Sequence, residues 1–175
     1  MKIRIAGIVS DSVVDGPGVR YTIFTQGCPH HCQGCHNPQT WDPKGGEEKR
    51  IRDIVRDIKR HPFIQGITLS GGDPFLQAQE SAFLAKEIKE KYSLNVVTYT
   101  GYLMEELLAS NNEHFMELLK NTDILVDGPY MEELRDLNIQ FRGSTNQRLI
   151  DVPKTLKLGK VVEWGKGKES TVEIA

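Results

Sequence analysis

Three cysteines stand close together in the stretch Cys28-Pro-His-His-Cys32-Gln-Gly-Cys35, and the chain has no others. Thiolates are soft ligands suited to zinc, copper(I) or iron–sulfur clusters. An odd number of cysteines crowded into one C-x3-C-x2-C loop is not a disulfide framework. A [4Fe–4S] cluster ordinarily takes four cysteines. A cubane bound here would therefore leave one iron without a protein thiolate, open to a substrate or cofactor, as a catalytic zinc keeps one position open. Two other readings fit the same residues. His30, His31 or His36 could complete a Cys3His zinc site, although zinc more often uses paired C-x2-C knuckles. Cys32 and Cys35 alone form a C-x-x-C redox pair, against which the third cysteine argues.

A loop of this kind needs a frame, and the rest of the chain reads as a βα rhythm. Val19–Thr25 is rich in β-branched and aromatic residues and predicts a strand leading into the cysteines. Ile51, Ile54, Val55 and Ile58 recur at i, i+3, i+4, i+7, one face of a helix. Glu47 and Glu48 are expected at its start, Lys59 and Arg60 at its end, and His61-Pro62 stops it. Further strands are expected at Ile67–Ser70, Leu94–Thr100 and Asp123–Val126, with helical patterns through Phe83–Ile88, Leu103–Ala109 and Phe115–Leu119 between and after them. The alternation predicts parallel pairing through crossovers. Each strand runs into a polar or glycine-bearing stretch: TQGC, SGGDP, TYTGY and VDGP. Parallel sheets place ligands at that edge, so these stretches are expected to face one cleft.

Composition narrows the function. The 175 residues suffice for one domain with its own core. Charge is nearly balanced, 22 Lys plus Arg against 24 Asp plus Glu, which disfavours a nucleic-acid binder working through phosphate attraction. No apolar run approaches the roughly 18 residues of a membrane span. The first residues, MKIRIAGIVSDS, lack the pattern of a signal peptide. A cytoplasmic protein is expected, with no nucleic-acid or membrane partner. Residues 1–152 are expected to form the domain. Residues 153–175, rich in lysine and glycine, are expected to be an extension of edge strands or a tail.

The stretch VDGPGVRYTIFTQGCPHHCQGCHNPQTWD, Val14 to Asp42, resembles the amino-terminal signature of the radical S-adenosylmethionine (SAM) activating enzymes of glycyl-radical proteins. The later segments LVDGP at 125–129, RDL at 135–137 and FRGSTNQRLIDV at 141–152, with the short length, are most similar to the branch that activates anaerobic ribonucleotide reductase. The resemblance runs from about Ile8 to Val152. It implies an α/β fold of the open, partial (β/α) barrel type. It implies that Cys28, Cys32 and Cys35 hold a [4Fe–4S] cluster whose fourth iron is chelated by SAM. Reductive cleavage of SAM then yields a 5′-deoxyadenosyl radical that takes a hydrogen atom from a glycine of the partner.

Site residues follow from the same resemblance. Gly71, Gly72 and Asp73 match the glycine-rich strand end that contacts the SAM amine. Asn37 and backbone groups of Gly34 and His36 are expected at the nucleoside. Many radical SAM proteins carry an aromatic residue just before the third cysteine; here that residue is Gly34, and the His36 imidazole would take its place. Thr98, Thr100 and Asp127 are expected to offer strand-end oxygens to ribose hydroxyls or a cation. Asp15, Gly16, Arg20 and Arg142 are expected to help dock the partner, the large subunit of the reductase, and a flavodoxin-like protein to supply electrons. Arg20, Arg142 and Arg148 are candidates to grip the SAM carboxylate or partner backbone, with a solvated surface residue the default for Arg148; Trp41 and Phe24 are expected to pack. The alternatives are an activase of pyruvate formate-lyase or another glycyl-radical enzyme, a radical SAM enzyme with a small-molecule substrate, and a zinc-bearing binding module without catalysis.

Overall fold

The frame is an open seven-stranded sheet, described by a computed structural model over residues 1–165. Its strands are β1 (Lys2–Ser12), β2 (Arg20–Thr25), β3 (Glu47–Arg50), β4 (Gly66–Gly71), β5 (Asn95–Tyr99), β6 (Ile124–Asp127) and β7 (Arg148–Asp151). They lie in the order β3-β1-β2-β4-β5-β6-β7. The four central strands β2, β4, β5 and β6 pair in parallel, as the βα rhythm predicts. The outer strands pair antiparallel: β1 with β2, β3 with β1 and β7 with β6.

Side chains alternate across a strand, and here the two faces have different jobs. Tyr21, Ile23, Ile67, Leu69, Val96, Leu125 and Ile150 point to one face and form the main core with the helices. Those helices are α1 (Ile51–Ile58), α2 (Ala78–Tyr92), α3 (Met104–Ala109), α4 (Glu113–Lys120) and α5 (Val152–Leu158). The opposite face carries Val97, Ile124 and Val126 with Tyr99 and Leu149 packed on them. It is partly covered by chain rather than helix. A Cβ on Gly16 would meet Val97 at 3.2 Å and Thr68 at 3.5 Å, so the Asp15-Gly16-Pro17-Gly18 turn lies directly on the sheet.

The expected helix over 51–58 buries Ile51, Ile54, Val55 and Ile58. Its start differs from expectation. Glu47 and Glu48 belong to β3, where the β1 ladder claims them and Glu48 accepts from Lys2 Nζ at 3.1 Å. The chain after residue 152 begins as a helix and then takes an edge position on the sheet, Glu163 bridging Ile150 antiparallel. Asp151 caps α5 by accepting from Lys154 N–H at 3.0 Å, and Gly159 ends it in a left-handed conformation with φ +66. Residues 153–158 are therefore helical, and the segment after α5 returns to the sheet through Trp164 N–H to Leu149 O. Lys166, Lys168, Glu169 and Glu173 lie outside the described residues.

Candidate functional site

The cysteine loop leaves the end of β2 and is closed by its own far side. Gly27, with φ +97, donates to Thr40 O at 2.7 Å, and Cys28 N–H donates to Trp41 O at 3.1 Å. The buried Gln26 amide donates to Gln39 O and Asp42 O at 3.0 and 2.8 Å. Inside the loop, His31 (φ +48) and Gly34 (φ +72) make the reversals that bring Cys28, Cys32 and Cys35 to one side. Asn37 N–H donates to Cys35 Sγ at 3.4 Å.

The end of β4 is tied to the same loop. Gly72 N–H donates to Thr25 O and Asp73 N–H to Gly27 O, both at 2.8 Å. A Cβ on Gly72 would lie 2.2 Å from Gly27 O, and one on Gly71 would lie 2.7 Å from the Phe24 backbone. The glycines thus let two strand ends touch. The three cysteines, His36, Asn37, Gly71, Gly72 and Thr100 all line one cleft of about 670 Å3 at the C-terminal edge of the parallel strands. Residues 136–143 form its outer wall, held by Tyr99 Oη donating to Phe141 O at 2.7 Å.

Burial pushes the Cys28 thiol up and does the same to Cys32. At Cys28 and Cys32 this is the opposite of the lowered pKa that marks a reactive thiol. Bound metal cations are what would deprotonate them. Among the described residues, no three His, Cys, Asp or Glu side chains gather tightly enough for a single metal ion. A cubane spreads its ligands farther apart than one ion does, and three soft donors around an open cleft fit it. The buried Trp41 Nε1 has no acceptor, although Trp41 lines this cleft, and a sulfur-rich group would offer one.

Comparisons with known proteins fit this geometry. Residues 14–150 match the family model described as a 4Fe-4S single cluster domain. A protein of Vibrio cholerae named anaerobic ribonucleoside-triphosphate reductase-activating protein is 39% identical over 146 residues, covering 77% of this chain and 89% of the relative. Proteins of the same name are 37% identical in Escherichia coli (77% and 90% covered) and 34% identical in Enterobacteria phage T4 (78% and 86%). This chain belongs to the anaerobic ribonucleoside-triphosphate reductase-activating protein family. Among solved structures, QueE from Escherichia coli is 17% identical with a TM-score of 0.43, covering 58% of this chain and 53% of that one, a likeness too distant to carry an argument.

Within this activating-protein fold, several expected site residues lie elsewhere. Thr98 sits between Val97 and Tyr99 and so faces the helices; its hydroxyl pairs with Thr122 Oγ1 at 2.8 Å. The Asp127 carboxylate is fully buried and shared by the Arg148 guanidinium and Met104 N–H, so it caps α3 instead of lining the cleft. Arg148 is consequently no solvated arginine, and Glu105 grips its other side at 3.0 and 2.7 Å. Asp73 is also buried and turned inward. Gly34 packs against the Glu132 carboxylate.

Arg20 is at the opposite end of β2 from the cysteines. It is buried and donates to Thr68 Oγ1 at 3.1 Å and Pro17 O at 3.3 Å, and to Asn95 Oδ1 and Ile67 O. Burial pushes it down to about 10 against the pull of Asp123, so it remains charged at neutral pH. It anchors the Asp15–Gly18 turn and is not available to a partner. Gly16 is the buried residue of that turn, on its side toward the sheet. Asp15 and Arg142 do line the cleft. Phe24, expected in the core, lines it too, as do Tyr99 and Tyr130, neither of which was anticipated. Tyr99 was legible in principle, because alternation from the buried Val96 and Thr98 puts it on the cleft face.

Proposed function

We propose that this activating protein holds one [4Fe–4S] cluster on Cys28, Cys32 and Cys35, binds SAM in the cleft beside it, and installs a glycyl radical on the large subunit of anaerobic ribonucleotide reductase. Together the bound cluster and SAM would supply one-electron cleavage of the sulfonium, giving a carbon radical able to take hydrogen from a glycine Cα. The observation that carries the reading is the meeting of three thiols with Gly71-Gly72 in one cleft, with no fourth cysteine in the chain.

The protein's own residues then bind, orient and exclude water. Gly71 and Gly72 offer close-packed backbone to the amino-acid end of SAM. Asn37 and the His36 ring, which lies 5.0 Å from the Tyr130 ring, would border the nucleoside. Phe24, Tyr99 and residues 136–143 wall off solvent, and Asp15 and Arg142 stand where a partner loop would enter. The open sheet, with helices on one face and this cleft at its edge, fits a partial (β/α) barrel. A flavodoxin-like donor and a cytoplasmic setting complete the reading; no helix among the described residues is long and apolar enough to cross a membrane.

The test is anaerobic incubation with the reductase large subunit, SAM and a reductant, followed by electron paramagnetic resonance (EPR). A glycyl-radical signal with matching 5′-deoxyadenosine is expected. A radical formed on pyruvate formate-lyase but not on the reductase would move the assignment to the other activase branch.

A further inference from the structure

Asp73 is where three segments of the cleft meet. Its Oδ2 lies 2.6 Å from His30 Nε2 in the cysteine loop. The same oxygen accepts from Thr100 Oγ1 at 2.9 Å and from Gly101 N–H at 3.1 Å, just beyond β5. Oδ1 accepts from Phe75 N–H at 2.9 Å. The His30 ring is fixed in turn. Tyr102 meets it edge-on with centroids 4.5 Å apart, and a Cβ on Gly101 would come within 2.5 Å of it.

Two backbone N–H groups and a hydroxyl donate to this fully buried carboxyl, which is the pattern of an ionised acceptor. His30 Nε2 then carries the proton it shares with Oδ2. Four donors occupy the carboxylate, so it is not placed to receive the ammonium of SAM. Its charge still reaches the cluster ligands. Asp73 N–H donates to Gly27 O at 2.8 Å, next to Cys28, and His30 stands between Cys28 and Cys32, so the carboxylate is tied to the loop on both sides of the first ligand.

Resting on the cluster reading above, we propose that Asp73 and His30 are a potential-setting pair: Asp73 stations a fixed negative charge behind Cys28 and Cys32, and His30 binds the cysteine loop to that charge while partly neutralising it. A fixed anion beside the cluster opposes addition of an electron and makes the reduced cluster a stronger reductant. Charge and hydrogen bonding around a cluster are among the factors that set its potential.

The test is an EPR-monitored redox titration, without SAM, of the anaerobically reconstituted wild type, Asp73→Asn and His30→Leu. Asp73→Asn removes the charge and keeps the shape. At the wild-type midpoint its reduced-to-oxidised ratio is expected to rise about tenfold, an upward shift of about 59 mV for one electron. His30→Leu strips a donor from the carboxylate, and its potential is expected to fall. Opposite shifts are a result that general loosening of the loop does not produce.

Unchanged potentials in both variants would overturn the proposal. So would an Asp73→Asn protein that keeps the wild-type potential and loses SAM binding, which would return Asp73 to the role of a SAM ligand. If Asp73→Asn fails to hold a cluster, His30→Leu decides: a downward shift supports the pair and no shift overturns it. Loss of the cluster from both variants would reduce the pair to a structural tie and overturn the charge role. A wild-type protein that takes up no cluster would instead sink the cluster reading itself.

Discussion

Gly72 illustrates how much a single residue decides here. Its missing side chain makes room for Gly27 O, the residue before the first cysteine. Gly72→Val is therefore expected to displace Cys28 and to lower iron content and SAM affinity together, with about 1–3 kcal/mol of stability lost to overpacking. Iron and sulfide analysis beside a denaturation curve checks this. A full cluster with weakened SAM binding alone would show that the glycine serves ligand approach only. The cysteine triad was legible from residue type and spacing, because soft ligands in a short loop have few other uses. Thr98, Asp73 and Asp127 were not, since position at a strand end does not say which way a side chain turns. Thr98 turns to the helices by alternation, and Asp127 is claimed by Arg148 from a strand distant in sequence.

At the scale of elements, the central parallel strands and the amphipathic helix α1 followed from periodicity, and the antiparallel rim did not. β3 is four charged residues, Glu47–Arg50, whose strand character comes only from pairing with β1. Helix α5 carried its own signals in Asp151, Pro153 and Gly159, a cap, a first-turn proline and a left-handed stop. Asp151→Ala is expected to cost about 1 kcal/mol by removing the bond to Lys154 N–H. Urea denaturation would measure it. A variant as stable as the wild type would show that α5 is held by packing alone.

For the whole molecule, the sheet separates a hydrophobic, helix-covered face from a cleft face, and a tyrosine on each, the buried Tyr21 and the half-buried Tyr99, reports on them. Burial raises the pKa of Tyr21, helped by its hydrogen bond to Asp57, and burial with the nearby Asp15 charge raises that of Tyr99. In the unfolded chain a tyrosine ionises near pH 10. Folding holds the protons on, so this contribution to stability is intact below about pH 10 and is lost as pH rises further. The melting temperature is expected to fall more steeply above that point in the wild type than in Tyr21→Phe. Parallel curves would mean that Tyr21 ionises as freely folded as unfolded.

The central claim is that three thiols leave one iron of a [4Fe–4S] cluster open to SAM. Its most direct test is EPR of the anaerobically reconstituted, reduced protein, recorded with and without SAM. The account predicts a reduced [4Fe–4S] signal whose g-values change when SAM is added, and no such signal from Cys32→Ala. A cluster signal indifferent to SAM, or stoichiometric zinc in place of any cluster, would contradict it.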